Sequence, residues 1–160
     1  MAFERKETPT ENHNTMFWTI LKWYQVLIPT FYFVFVVPNM VEGAEGAAIE
    51  LGDIYTIFFH LLNLAFAGII IQTPPLERSR TGVADKILKI AVVQQFLIQN
   101  IFALMLTLFV WYKLPYKVKP EMITIEEAEK WYFQPKTLFI LMLIILGLTI
   151  LAIISQFTLI

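Results

Sequence analysis

Side chains able to do chemistry are few within the apolar stretches of this chain, and they are chiefly His60, Asn63, Gln94, Gln95, Gln99 and Asn100. His60 is the only histidine there, since His13 lies in a polar leader. An imidazole in an apolar run is a candidate ligand for haem or a chlorin, a quinone contact, or a proton relay. The neutral ring is also cheap to bury, so a structural hydrogen bond, for example to Thr56, is the simpler expectation. Thr56, His60, Asn63 and Ala67 recur at i, i+4, i+7 and i+11 and so share one helical face. Gln94, Gln95, Gln99 and Asn100 spread over roughly 240° of a helix at about 100° per residue. That is more than one packed face can shelter, so protein is expected on two sides of this segment.

Counted inward at about 1.5 Å per residue, Asn63 and Gln99 reach similar depths of roughly 15 Å. An interhelical hydrogen bond between their faces is expected, worth about 0.6 to 2 kcal/mol in a bilayer. The candidate cofactor-contacting residues are therefore His60, Asn63, Gln95 and Gln99, with hydrogen-bonded packing as the simpler role for all four.

Other chemistries find little to build on. The chain has no cysteine, which removes disulfides, thiolate metal sites and thiol nucleophiles together. Glu42, Glu45, Glu50 and Asp53 form an acidic stretch, but the spacing and central glycine of a calcium loop are missing, and a solvated loop is expected. There is no zinc-binding histidine pair, serine elbow, phosphate loop or dinucleotide glycine fingerprint. A net charge of −1 offers no basic stripe for nucleic acid. No internal repeat of the kind found in carriers is evident. No catalytic residues and no metal site are assigned, and an enzyme is not expected.

The elements that must carry these side chains are four apolar segments, about 17–41, 54–72, 87–112 and 137–157. A hydrocarbon core of about 30 Å takes about 20 apolar residues of helix. Hydrophobic residues make up 58% of the 160-residue chain and charged residues 16%, well away from a soluble domain. The fold class read from this is an all-α integral membrane protein with four transmembrane helices and short loops. Residues 1–16 form a polar leader without the features of a signal or transit peptide, and 17–160 form one transmembrane domain.

Local signals refine the segments. Pro29 should kink the first helix, and Pro38 with Asn39 should mark its exit. Lys22 should snorkel beside Trp18 and Trp23. Asp53 is placed to cap the second helix, which Pro74 and Pro75 end. The third segment, if unbroken from Val83 to Lys113, would be about 45 Å long, with Trp111 and Tyr112 at its far interface. Thr124 and Glu127 form a capping box for a short interfacial helix over 124–133. In the last segment, Gly147 offers a place for a neighbouring helix to approach.

With four crossings, the leader side and second loop carry seven Lys and Arg against five in the third loop. Positive-inside counting then puts both termini on the cytoplasmic or matrix-equivalent side. The functional expectation is a non-catalytic accessory subunit of a larger membrane complex, with other membrane subunits and lipids as its partners. A respiratory-chain or other energy-transducing assembly in the mitochondrial inner membrane is the working assignment. The alternatives are an anchor subunit contacting haem, a chlorin or quinone through His60, and a small oligomeric channel or carrier.

Overall fold

The computed structural model describes residues 9–43, 50–118, 123 and 130–158. All regular structure among these residues is helical. The first helix runs as α1 (Pro9–Phe31), a π-helical turn (Tyr32–Val36) and α2 (Val37–Gly43). The chain then forms α3 (Leu51–Gln72), a 3-10 turn (Pro75–Glu77), α4 (Val83–Leu97), α5 (Ile101–Lys113) and α6 (Pro135–Thr158). Three helical stretches, Met16–Val41, Leu51–Gln72 and Pro135–Thr158, are long and apolar enough to cross a membrane.

The third apolar segment is not one helix, which corrects the expectation of a fourth crossing. Helix continuity fails at Ile98–Asn100, where Gln99 takes the left-handed conformation at φ 57° and the Asn100 side chain accepts from the Ala103 amide at 3.2 Å to cap α5. Asparagine is among the best N-cap residues, and its cap offsets part of the cost of a non-glycine residue at positive φ. The two arms then pack antiparallel as a helical hairpin. At about 1.5 Å per residue they are roughly 22 and 20 Å long, too short to cross a bilayer. Around the turn, the amides of Ile98, Gln99, Asn100 and Ile101 donate to the carbonyls of Gln94, Phe96, Gln95 and Gln99 at 3.0–3.1 Å. These four backbone donors of the bend are therefore paired within it.

Because the hairpin returns the chain to the end it left, the two ends of the bundle differ. At the end where α1 begins, Arg78 stands 5.6 Å from the Trp18 ring, Phe17 meets Phe109 edge-on, and Lys86 lies over Phe139 near the start of α6. At the opposite end the Tyr55 hydroxyl, near the start of α3, lies 2.9 Å from Ser155 Oγ near the end of α6. The start of α1 and the end of α6 thus lie at opposite ends of the bundle, an arrangement that does not support the expectation that both termini share a side.

The core is concentrated in the half that holds the hairpin. Leu21 of α1, Phe66 and Ile70 of α3, Ile87 and Leu88 of α4, and Leu138 and Met142 of α6 are fully buried there. Beyond Pro29 no described side chain of α1, the π turn or α2 is buried, and before Leu62 none of α3 is. Burying an aliphatic side chain of this size contributes about 1.5–3 kcal/mol where water is the alternative; against lipid, close packing carries more of the stabilisation.

Smaller expectations also shift. The first helix passes through Pro38 and Asn39 rather than ending there. Proline lacks an N–H and its ring crowds the carbonyl four residues back, so the wide turn immediately before Pro38 is the local adjustment, with the Val37 amide reaching Tyr32 O. Asp53 lies inside the first turn of α3, and Glu50 is the cap residue. Thr73 and the two prolines do close that helix, and Lys22 does sit over the Trp23 ring at 5.1 Å. The Glu77 carboxylate accepts the Val83 amide at 2.7 Å and caps α4. Gly82 lets that connection close, since a Cβ there would overlap the Glu77 backbone. A Cβ at Gly147 would meet nothing within 4 Å among the described residues. Most of the expected helix over 124–133 lies outside the described residues, and its end is corrected, because residues 130–134 are not helical.

Candidate functional site

The hairpin carries the chain's buried carboxamides into the bundle. Gln94 and Gln95 on α4 and Gln25 on α1 are fully buried, and Asn63 on α3 is nearly so. Gln95 Nε2 donates to Asn63 Oδ1 at 2.8 Å and lies 3.4 Å from Gln94 Oε1. The expected bond between α3 and the third segment exists, but through Gln95 rather than Gln99. Gln99 is displaced because it forms the hairpin turn, one helical turn beyond the level of Asn63, with its side chain exposed. Asn100 is spent on capping. The wide angular spread of the four polar residues is thus resolved within the chain: two enter the core and two make the bend.

Four buried amide atoms among the described residues remain without hydrogen-bond partners: Gln94 Nε2, Gln95 Oε1, Gln25 Nε2 and, near the end of α3, Gln72 Oε1. Carboxamides are neither acids nor bases at ordinary pH, so this cluster can hold and orient a polar group or water but cannot move a proton. The buried threonines spend their hydroxyls locally. Thr73, Thr107 and Thr149 donate to the carbonyls of Ile69, Ala103 and Ile145.

His60 does not join this cluster. Its ring stacks on Tyr32 at a centroid distance of 4.0 Å and an interplanar angle of 20°, and its Nδ1 is buried without a partner. The expected bond to Thr56 does not form, because the Thr56 hydroxyl donates to Gly52 O at 2.9 Å. His60 is therefore separated from Asn63 and Gln95 in role. The first contacts an aromatic ring, the others a buried amide pair.

A second polar group, which sequence reasoning did not single out, closes the hairpin mouth. Trp111 Nε1 donates to Asp85 Oδ1 at 2.8 Å, and Lys89 Nζ donates to Asp85 Oδ2 at 2.7 Å while lying over the Trp111 ring. Arg80 donates to the carbonyls of Tyr112 at 2.9 Å and Leu114 at 3.3 Å, and the Arg80 amide donates to Pro115 O at 2.8 Å. Burial works to raise the Asp85 pKa, but hydrogen bonds from Lys89 and Trp111 and the charges of Lys89 and Arg80 outweigh it, leaving the carboxyl below its ordinary value. Among the described residues, no group of three histidine, aspartate or glutamate side chains is placed to hold a metal ion.

A scan against protein-family models finds no match, and neither the curated proteins nor the solved structures compared give one.

Proposed function

We propose that this chain is an integral membrane protein with three crossings and one re-entrant hairpin, acting as a non-catalytic structural subunit of a larger membrane assembly. The observation that carries the membrane reading is the charge distribution under the observed connectivity. All 12 Lys and Arg fall at or before Lys22, or between Arg78 and Lys136. Nine of them lie among the described residues, and all nine belong to the end where α1 begins and the hairpin opens. The segments of the opposite end contain no base, and Glu50 and Asp53 stand there. With four crossings the bases divide seven to five; with the hairpin the described ones all lie on one side. A one-sided set of bases flanking apolar helices is what orientation in a membrane selects. The base-rich end is accordingly cytoplasmic or matrix-equivalent, and the end of α6 lies across the membrane from it.

The structural role is supported by the bonds that buried polar side chains do make, Gln95 to Asn63 and Thr73, Thr107 and Thr149 to carbonyls of their own helices. The face of the first helix carrying Trp23, Leu27 and Phe31 of α1 and Phe35 of the π turn points away from the chain's core, and the Phe31 and Phe35 rings contact at 4.6 Å, tilted by 35°. Large aromatic side chains on one helical stripe give a neighbouring helix area to pack against. The inward direction of Asn63 and Gln95 weighs against an oligomeric pore lined by them.

Native mass spectrometry after extraction in mild detergent tests the role. A fixed ratio of this chain to one or more different membrane polypeptides supports it, and a lone monomer that retains its fold removes it. Carbonate washing of membranes tests the embedding separately.

A further inference from the structure

We propose that the α4–α5 hairpin makes this protein a one-sided wedge in the bilayer, so that it prefers membrane curved with the hairpin-bearing leaflet on the convex side. This inference rests on the membrane embedding proposed above, but not on membership of an assembly.

The argument is one of cross-section. In the half of the bundle that holds the hairpin, five helices lie side by side: α1, α3, α4, α5 and α6. In the other half only three continue, the extension of α1 through the π turn, the first half of α3 and the last half of α6. The hairpin turn lies about one helical turn past the Gln95–Asn63 bond. By helical rise this leaves the first ~13 Å of α3 without a hairpin beside it. With a helix diameter of about 10 Å, two extra helices occupy roughly 160 Å² more of one leaflet than of the other.

The tip has the surface of a lipid-embedded end. Phe96, Ile101 and Phe102 around it are 68%, 71% and 80% exposed, so no other part of the described chain folds over it. The amides of residues 98–101 are paired within the turn, which lowers the cost of ending it in hydrocarbon. Meanwhile the mouth is anchored at the polar boundary by Asp85, Lys89, Arg80 and Trp111, so the hairpin cannot slide across to equalise the leaflets. Packing follows the same asymmetry, because the buried side chains gather in the five-helix half and the three-helix half is mostly exposed. Lipid must fill the space beneath the tip in one leaflet while being excluded by the hairpin in the other. That imbalance is relieved when the hairpin leaflet is stretched.

The absence of cysteine in the chain makes single-site labelling direct. The full chain carrying Lys117→Cys or Thr158→Cys is reconstituted in both orientations into phosphatidylcholine and phosphatidylglycerol giant vesicles and labelled with a membrane-impermeant dye. Outside dye marks proteins with the hairpin in the outer leaflet through Lys117→Cys, and those with it in the inner leaflet through Thr158→Cys. Narrow tubes are then pulled outward. The expected result is enrichment of the Lys117→Cys population on the tube relative to the vesicle, rising as the tube thins, with depletion of the Thr158→Cys population. Equal densities for the two populations overturn the wedge and leave the embedding intact. A third variant, Thr81→Cys, guards the topology. If Thr81→Cys and Lys117→Cys label from opposite faces, the segment crosses and the wedge is wrong while the protein remains membrane-embedded. Release of the protein by carbonate overturns both readings.

Discussion

Trp111 and Asp85, separated by 26 residues of apolar sequence and a reversal of the chain, are joined by an indole-to-carboxylate hydrogen bond of 2.8 Å. The bond spans the mouth of the hairpin and ties the last turn of α5 to the first turn of α4. Trp111→Phe keeps the ring and removes the donor. It is expected to cost about 1.5–3 kcal/mol, as for a hydrogen bond to a charged group, with the lower end favoured because the site borders solvent. Reversible unfolding in mixed micelles measures this. A double-mutant cycle with Asp85→Asn should show a coupling that exceeds the error of the single measurements, and additivity of the two substitutions would contradict the assigned bond.

The same carboxyl sets a pH dependence. Its folded pKa lies below the ordinary 3.8, with burial opposing the shift and Lys89, Trp111 and Arg80 outweighing it. A depressed acid contributes stability that is present above the unfolded value and is lost as pH falls through the folded value. Stability should therefore be unaffected by Asp85 titration down to about pH 5 and should fall below about pH 4. In Asp85→Asn the contribution is missing at all pH values, so the difference between the two proteins should shrink on acidification. A difference that grows on acidification would reverse the sign of the shift.

Inside the bundle, Asn63 and Gln95 should behave as a pair and Gln99 should not. Gln95→Ala and Asn63→Ala are each expected to destabilise the fold, with a coupling of about 0.6–2 kcal/mol in the double-mutant cycle. Gln99→Ala, at an exposed turn position, should change little through lost contacts. Gln99→Gly should stabilise slightly, since glycine adopts positive φ without penalty. Coupling of Asn63 to Gln99 instead of Gln95 would restore an unbroken third helix.

How much of this was legible beforehand depends on the residue. The three helices able to cross a membrane follow from apolar length alone, and the Asn63 face and its need for an amide partner follow from helical spacing. The break at Gln99 did not follow, because neither glycine nor proline marks it. Propensity favoured a continuous helix, and the cap supplied by Asn100 to Ala103 depends on a turn that only the returning arm stabilises. One signal did exist. Asp85 with Lys89 and Trp111 with Lys113 lie at similar distances on either side of Gln99 and Asn100, as two arms with one shared boundary require. Recounting the 12 bases under that reversal would have favoured it over four crossings. The ring partner of His60 could not be read at all, since the π turn that brings Tyr32 to it has no sequence period of its own.

His60 and Tyr32 form a stacked pair at 4.0 Å, and this predicts which substitutions His60 tolerates. Aromatic pairs are worth about 0.5–1.5 kcal/mol beyond area burial. His60→Phe keeps a flat ring against Tyr32 and removes a buried nitrogen that has no partner, so it should be neutral or stabilising. His60→Ala leaves the Tyr32 face uncovered and should be destabilising. If His60 instead holds haem or a chlorin, both substitutions abolish the bound chromophore equally, because ligation needs the ring nitrogen and not the ring face. Visible absorption of the purified wild-type protein and both variants separates these outcomes. The stacking role predicts three spectra without a difference in the visible region, together with a stability order in which His60→Phe stands with the wild type.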